Sequence, residues 1–137
     1  MPLTARTFCH QFKSEDGTDE SVTFRYPTTR ERLDALEKMS QIYGSLEAAD
    51  AEKEELAERV GWEKVREMME YYLDLAEKLL VDASVQYEAN GKPSANVTEQ
   101  KEWKELLLSD LYYGEQIQDG MMQFFRDVLS TKLAGTA

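Results

Sequence analysis

Residues Trp62 to Tyr87 read WEKVREMMEYYLDLAEKLLVDASVQY, and the interpretation of this stretch sets the fold class. Apolar or small residues fall at Trp62, Val65, Met69, Tyr72, Ala76, Leu79 and Ala83, alternately three and four apart, which lays one continuous stripe along a long helix. Met68, Leu73, Leu75 and Leu80 widen the stripe, so Glu63, Lys64, Glu67, Asp74, Glu77 and Lys78 are left little more than one side. A helix apolar over so much of its surface needs partners on more than one side. It is expected to be the central member of a helical domain, or the face on which another chain docks.

Working outward toward the N-terminus, Gly61 separates this helix from a weaker, strongly charged helical pattern over residues 46–60, through Ala49, Leu56 and Ala57. Before that, Thr28 followed by Glu31 makes a capping box: the hydroxyl takes one orphan backbone N–H and the carboxylate takes another. The helix it opens shows one face at Leu33, Leu36, Ser40 and Tyr43, broadened by Met39 and Ile42, and stops at Gly44. Further back the period changes to two. Phe8, His10 and Phe12 share one face of a strand over residues 3–13, and Val22, Phe24 and Tyr26 share one face of a second strand over 21–26. The segment SEDGTDE, residues 14–20, holds Asp-Gly and no apolar residue, which is a turn joining the two strands into a hairpin. A lone hairpin is marginal in water, so its Phe8, Phe12, Phe24 side must pack on helices or on a second subunit, and its open edges offer a place for chains to pair.

Outward in the other direction, EANGKPSAN, with Gly91 and Pro93, ends the long helix in a loop at residues 88–97. Asn96 and Glu99 form a second capping box for an amphipathic helix through Trp103, Leu106, Leu107 and Leu111. Gly114 and Gly120 interrupt the remaining pattern, each at about 1 kcal/mol relative to Ala inside a helix, so the last helix kinks, breaks or packs closely on a neighbour there. Met121, Phe124, Phe125, Val128, Leu129 and Leu133 form the final apolar face. The predicted architecture is mainly α, an N-terminal β-hairpin (3–26) followed by about four to five helices (28–134), in a single domain spanning residues 1–137.

Composition bounds the function. The 137 residues are 42% hydrophobic and 31% charged, too apolar for a fully disordered chain and too interrupted by charge for a membrane span. The formal charge of −11 argues against nucleic acid, since phosphate binding depends on clustered Lys and Arg. The one cysteine, Cys9, makes no internal disulfide, and with no charged-then-apolar opening segment the expected compartment is the cytoplasm.

The one histidine removes most catalytic schemes. Cys9 and His10 are neighbours on a strand and point to opposite faces, so they do not pair with each other. Glu67 and Glu70 lack the helical histidine that a carboxylate di-metal bundle uses, and residues 15–20 lack the ligand spacing of a calcium loop. The expectation is a non-enzymatic protein with no metal and no other cofactor. The adjacent doublets Met68-Met69, Tyr71-Tyr72, Tyr112-Tyr113, Met121-Met122 and Phe124-Phe125 push one residue of each pair toward the edge of the buried face. They read either as ordinary core or as an apolar groove for a partner helix. In the second reading Met68, Tyr72, Leu75, Tyr112, Met121 and Phe125 are the partner-binding residues, with the region around Met68, Tyr72 and Leu75 completed by a second chain.

The strand Val22-Thr23-Phe24-Arg25-Tyr26 running directly into Pro27-Thr28-Thr29-Arg30-Glu31-Arg32-Leu33, ahead of an acidic helical remainder, resembles the tail assembly chaperones of long-tailed bacteriophages. The similarity centres on residues 20–43. It implies a cofactor-free, multimeric protein that binds the helical tape-measure protein in the host cytoplasm until tube subunits polymerise around it. The matched junction is structural, so the resemblance assigns no binding residue. Two other classes stay open: a structural oligomeric part of a phage or mobile-element particle, and an acidic inhibitor or antitoxin that occupies a basic site on its target.

Overall fold

A computed structural model of the chain describes residues 5–43, 58 and 61–130. It is a mainly helical fold with N-terminal antiparallel strands and four α-helices, one of them long. The elements run β1 (Thr7–Lys13), β2 (Asp19–Arg25), α1 (Thr29–Tyr43), α2 (Trp62–Leu79), β3 (Leu80–Ser84), β4 (Gln86–Tyr87) and β5 (Ala95–Asn96). A 3-10 turn (Val97–Glu99), α3 (Trp103–Ser109), α4 (Leu111–Phe124) and a π-helical segment (Phe125–Ser130) come after them. The expected helix over 46–60 and the side chains of Tyr43, Val128, Leu129 and Leu133 lie outside the described residues. Two compact units divide the chain, Met1–Tyr26 with Ala76–Ile117 and Pro27–Leu75 with Gln118–Ala137, and the boundaries fall between β2 and α1, inside α2 and inside α4.

The first unit is built on a three-stranded antiparallel sheet of order β1-β2-β3. The hairpin is in register from Thr7↔Arg25 to Lys13↔Asp19, around a tight tip in which Ser14 N–H donates to Thr18 O at 2.8 Å and Gly17 takes φ +86°. Strand β2 is the middle strand, and its alternate residues Glu20, Val22 and Phe24 are buried. Its second edge is paired with the chain's own β3, so the expectation of two open hairpin edges is corrected at that side.

The long helix is also shorter than expected. It ends at Leu79, and Leu80–Ser84 is a strand. Strand β3 pairs Phe24 with Leu80 but Thr23 with Asp82, leaving Val81 as the extra residue of a β-bulge, 46% exposed. The bulge brings Leu80 and Ala83, three apart, to the same buried side. A spacing of three inside a strand imitates the helical period, and that is why the stripe reads as unbroken in sequence.

Loop 88–97 is closed into a small hairpin by Gln86↔Asn96 and Tyr87↔Ala95, with Gly91 at φ +72° and Lys92 N–H donating to Ala89 O at 3.0 Å. The second capping box does not form, because Asn96 makes no side-chain cap bond. Its amide behaves instead like a strand peptide: Nδ2 donates to Ala83 O at 3.0 Å and Oδ1 accepts from Val85 N–H at 3.0 Å. Helix α3 then stops at Asp110, whose ψ of 132° breaks the helical run, and α4 restarts at Leu111. The break therefore precedes the glycines, and α4 passes through Gly114 and Gly120 intact. Gly114 is there for close approach: a Cβ at that position would lie 3.0 Å from the Leu108 carbonyl oxygen.

The second unit is helical. Its α1 opens on the expected capping box, with Thr28 N–H donating to Glu31 Oε1 at 2.8 Å and Glu31 N–H donating to Thr28 Oγ1 at 3.1 Å. The buried face of α1 is Ala35, Leu36, Met39 and Ile42, whereas Leu33 and Ser40 are exposed, a rotation of the face expected from sequence. Trp62, likewise assigned to the stripe of α2, is 66% exposed at the helix start. Val65, Met68, Tyr72 and Leu75 supply the buried side of α2, and Met121, Phe124 and Phe125 are buried as well. The Tyr72 and Phe125 rings meet edge to face, centroids 6.4 Å apart. Lys38 Nζ reaches Glu67 Oε1 at 3.3 Å, which holds the Glu67 carboxyl below its ordinary range, and Gln118 Nε2 donates to Met69 O at 3.3 Å.

Candidate binding groove

The centre of the candidate site is a buried carboxylate. Glu20 comes directly after the turn residues, but it is also the first inward position of β2, two residues before Val22 and four before Phe24, so the pleat turns it inside. Only 5% of it is exposed. A buried carboxylate is costly unless hydrogen-bonded, and both oxygens are served: Tyr113 Oη donates to Oε1 at 2.6 Å and Gln86 N–H donates to Oε2 at 3.0 Å. Burial, and then the bond to Glu20, push the Tyr113 phenol well above the ordinary tyrosine range.

Two hollows meet at Tyr113, and Glu20 lines the second of them. The larger, about 510 Å3, has an apolar floor whose accessible part is the half-buried Tyr87, Leu106 and Tyr113, backed by Val85, Val97 and Leu107, each at most 2% exposed. Its rim carries Glu102, Glu105 and Asp110. The second, about 390 Å3, shares Gln86, Asp110 and Tyr113 with the first and continues past Glu20 to the hairpin tip at Ser14–Thr18. Neither is lined by Lys, Arg or His. At the tip, hydrogen bonds from the Ser14 hydroxyl and from Thr18 hold the Asp16 carboxyl down to about 2.

The rim carboxylates sit where local structure puts them. Glu102 immediately precedes α3 and Glu105 lies in its first turn, and both line the same hollow. Asp110 lies in the break between α3 and α4, and its Oδ2 accepts the Tyr113 N–H at 3.0 Å, capping α4. Lys104, on the same short helix, lines a neighbouring hollow that shares Glu102 and Glu105, and its Nζ donates to Glu77 O at 3.4 Å and lies 5.8 Å from the Trp103 ring centroid. Among the described residues no ion pair involves Glu102, Glu105 or Asp110.

The six residues expected to bind a partner are divided between the two units. Met68, Tyr72, Leu75, Met121 and Phe125 are core residues of the second unit, none more than 6% exposed, so they offer no face to a partner in this structure. Tyr112 is half-buried in the first unit, where its hydroxyl donates to Lys13 O and its ring meets Phe12 and Tyr113 edge to face. The groove residues escape a reading of the sequence because Glu20 reads as loop and Val85 reads as the end of a helix. The one signal for them is the alternation Glu20, Val22, Phe24, which places a carboxylate on an inward face.

Cys9 is exposed on β1, and His10 on the other face stacks on Phe12, with Nε2 3.4 Å from Gln116 Oε1. Among the described residues no three His, Cys, Asp or Glu side chains stand together as a metal cluster, and no helix is long and apolar enough to cross a membrane. Comparison of the chain with protein-family models, curated proteins and solved structures gave no match.

Proposed function

We propose that this protein is a non-enzymatic assembly chaperone that acts in the cytoplasm of a phage-infected cell, binding a helical tape-measure protein and keeping it soluble until the tail tube forms around it. The observation that carries the reading is the groove of the first unit, an apolar floor open at the surface of a strongly acidic chain. An exposed apolar hollow is where a partner's side chains gain by leaving water, and net charge far from zero keeps an aggregation-prone complex in solution. The strand, proline and capped helix over residues 20–43, on which the resemblance to tail assembly chaperones rests, add to it.

Co-expression with a long helical tape-measure fragment is the test. A clear rise in the soluble fraction of the fragment, with a complex on size exclusion, is the expected result; neither gain nor complex rejects the reading. A purified particle that contains this chain in stoichiometric amounts by mass spectrometry points instead to a structural part of the particle.

A further inference from the structure

The groove between β4, the 3-10 turn and α3 has a chemistry more specific than apolarity, and we propose that it seats a basic amphipathic helical segment, with an apolar side chain on the half-buried Tyr87, Leu106 and Tyr113 of its floor and Lys or Arg against Glu102, Glu105 and Asp110. The inference rests on the chaperone reading for the identity of the partner, not for the chemistry of the segment.

Its basis is the mismatch between floor and rim. The floor favours apolar side chains, and a hollow of about 510 Å3 takes the side chains of about one helical turn rather than a whole helix. Docking any segment there removes water from three carboxylates that no described cation pairs. Desolvating a carboxylate without a partner is unfavourable, so a neutral or acidic apolar segment is selected against and a cationic one is selected for. The same charge argument disfavours a second copy of this chain, which carries −11. On a helix, residues three and four apart share a face, so an apolar anchor with Lys or Arg at i+3 or i+4 presents both groups to floor and rim together.

Two synthetic helical peptides with the same leucines at helical spacing, one carrying arginines and the other glutamates in their place, provide the probes, read by fluorescence anisotropy on the full chain. The arginine peptide is expected to bind and the glutamate peptide not to bind. Glu102 and Glu105 are exposed, so the E102K/E105K variant keeps its circular dichroism spectrum; it is expected to bind the arginine peptide roughly tenfold more weakly and to gain the glutamate peptide. No binding of the arginine peptide by the unsubstituted protein, or unchanged binding by the variant, overturns the groove assignment. Co-expression with the tape-measure fragment separates the two ideas. Rescue by the unsubstituted protein and not by the variant supports both, equal rescue by both overturns the groove alone, and peptide binding without rescue overturns the chaperone reading alone.

Discussion

Tyr113 and Glu20 lie 93 residues apart in sequence, and the tyrosine hydroxyl donates to the Glu20 carboxylate at 2.6 Å. The bond ties the start of α4 to the middle strand of the sheet and satisfies one half of a carboxylate that is otherwise buried. Removing the donor leaves that oxygen without it, and the cost of an unsatisfied buried group bonded to a charge is about 1–3 kcal/mol. Tyr113→Phe is therefore expected to lower the unfolding free energy by that amount, read as a fall in the urea midpoint with little change in slope. A midpoint within error of the unsubstituted protein would show the bond to be worth nothing net.

The same pair predicts alkaline sensitivity. The folded state raises the Tyr113 phenol above its unfolded value, so it binds that proton more tightly than the unfolded chain does. Its contribution is fully present below about pH 10, the unfolded tyrosine value, and is lost as pH rises through the folded one. Tyr71, which burial and the nearby Asp34 charge push up to about 12, acts in the same direction in the second unit. Denaturation midpoints measured from pH 7 to pH 11 should fall at the alkaline end, and less steeply in the Tyr113→Phe variant.

Gly114→Ala reverses the usual sign of a helix substitution. Alanine in place of glycine inside a helix ordinarily gains about 1 kcal/mol. Here the new Cβ meets the Leu108 carbonyl oxygen at 3.0 Å, a backbone atom that does not swing aside. The variant is expected to melt below the unsubstituted protein; a higher melting temperature would mean that the α3–α4 break relaxes at no cost.

Asn96 carries the link between β3 and β5 through its side chain. Asn96→Asp keeps the shape and the acceptor for Val85 N–H but loses the donor to Ala83 O, setting a carboxylate against a carbonyl. It is expected to destabilise by about 1–3 kcal/mol, the cost of unsatisfied buried polar groups. Amide exchange localises the effect: loss of protection should concentrate at Val85 and Val97, whose N–H groups donate to Asn96 Oδ1 and Val85 O.

At the hairpin tip, the Asp16 carboxyl should titrate at about 2, held there chiefly by the Ser14 hydroxyl and then by Thr18. Ser14→Ala is expected to return it toward the ordinary aspartate value. Because the folded value is depressed, the stabilisation is present above the unfolded value of about 4 and disappears as pH falls through the folded one. A carbon-13 titration of the side-chain carboxyl reads this directly.

Local chemistry is enough for several features. Alternation over Phe8–Phe12 and Val22–Phe24 sets the hairpin, Asp-Gly sets its tip, and Thr28 with Glu31 starts α1, because each depends on residues a few positions apart. The apolar stripe from Val65 to Leu79 is a helix for the same reason. What a sequence of this kind leaves open is which long-range partner claims a segment. Leu80–Ser84 continues the helical spacing in sequence, yet β2 presents a free row of backbone donors and acceptors to it, and pairing there with a bulge at Val81 satisfies both rows while still burying Leu80 and Ala83. Asn96 is a helix cap by local rule and a strand bridge in the fold, because Ala83 O and Val85 N–H come within reach. Leu111 continues the apolar pattern of α3 and stands 88% exposed, because the chain breaks at Asp110 and turns that position outward. The groove was therefore decided by tertiary structure: its floor comes from residues beyond the end of the true helix, its rim from the α3–α4 break, and its buried carboxylate from a strand position that only the completed sheet makes interior.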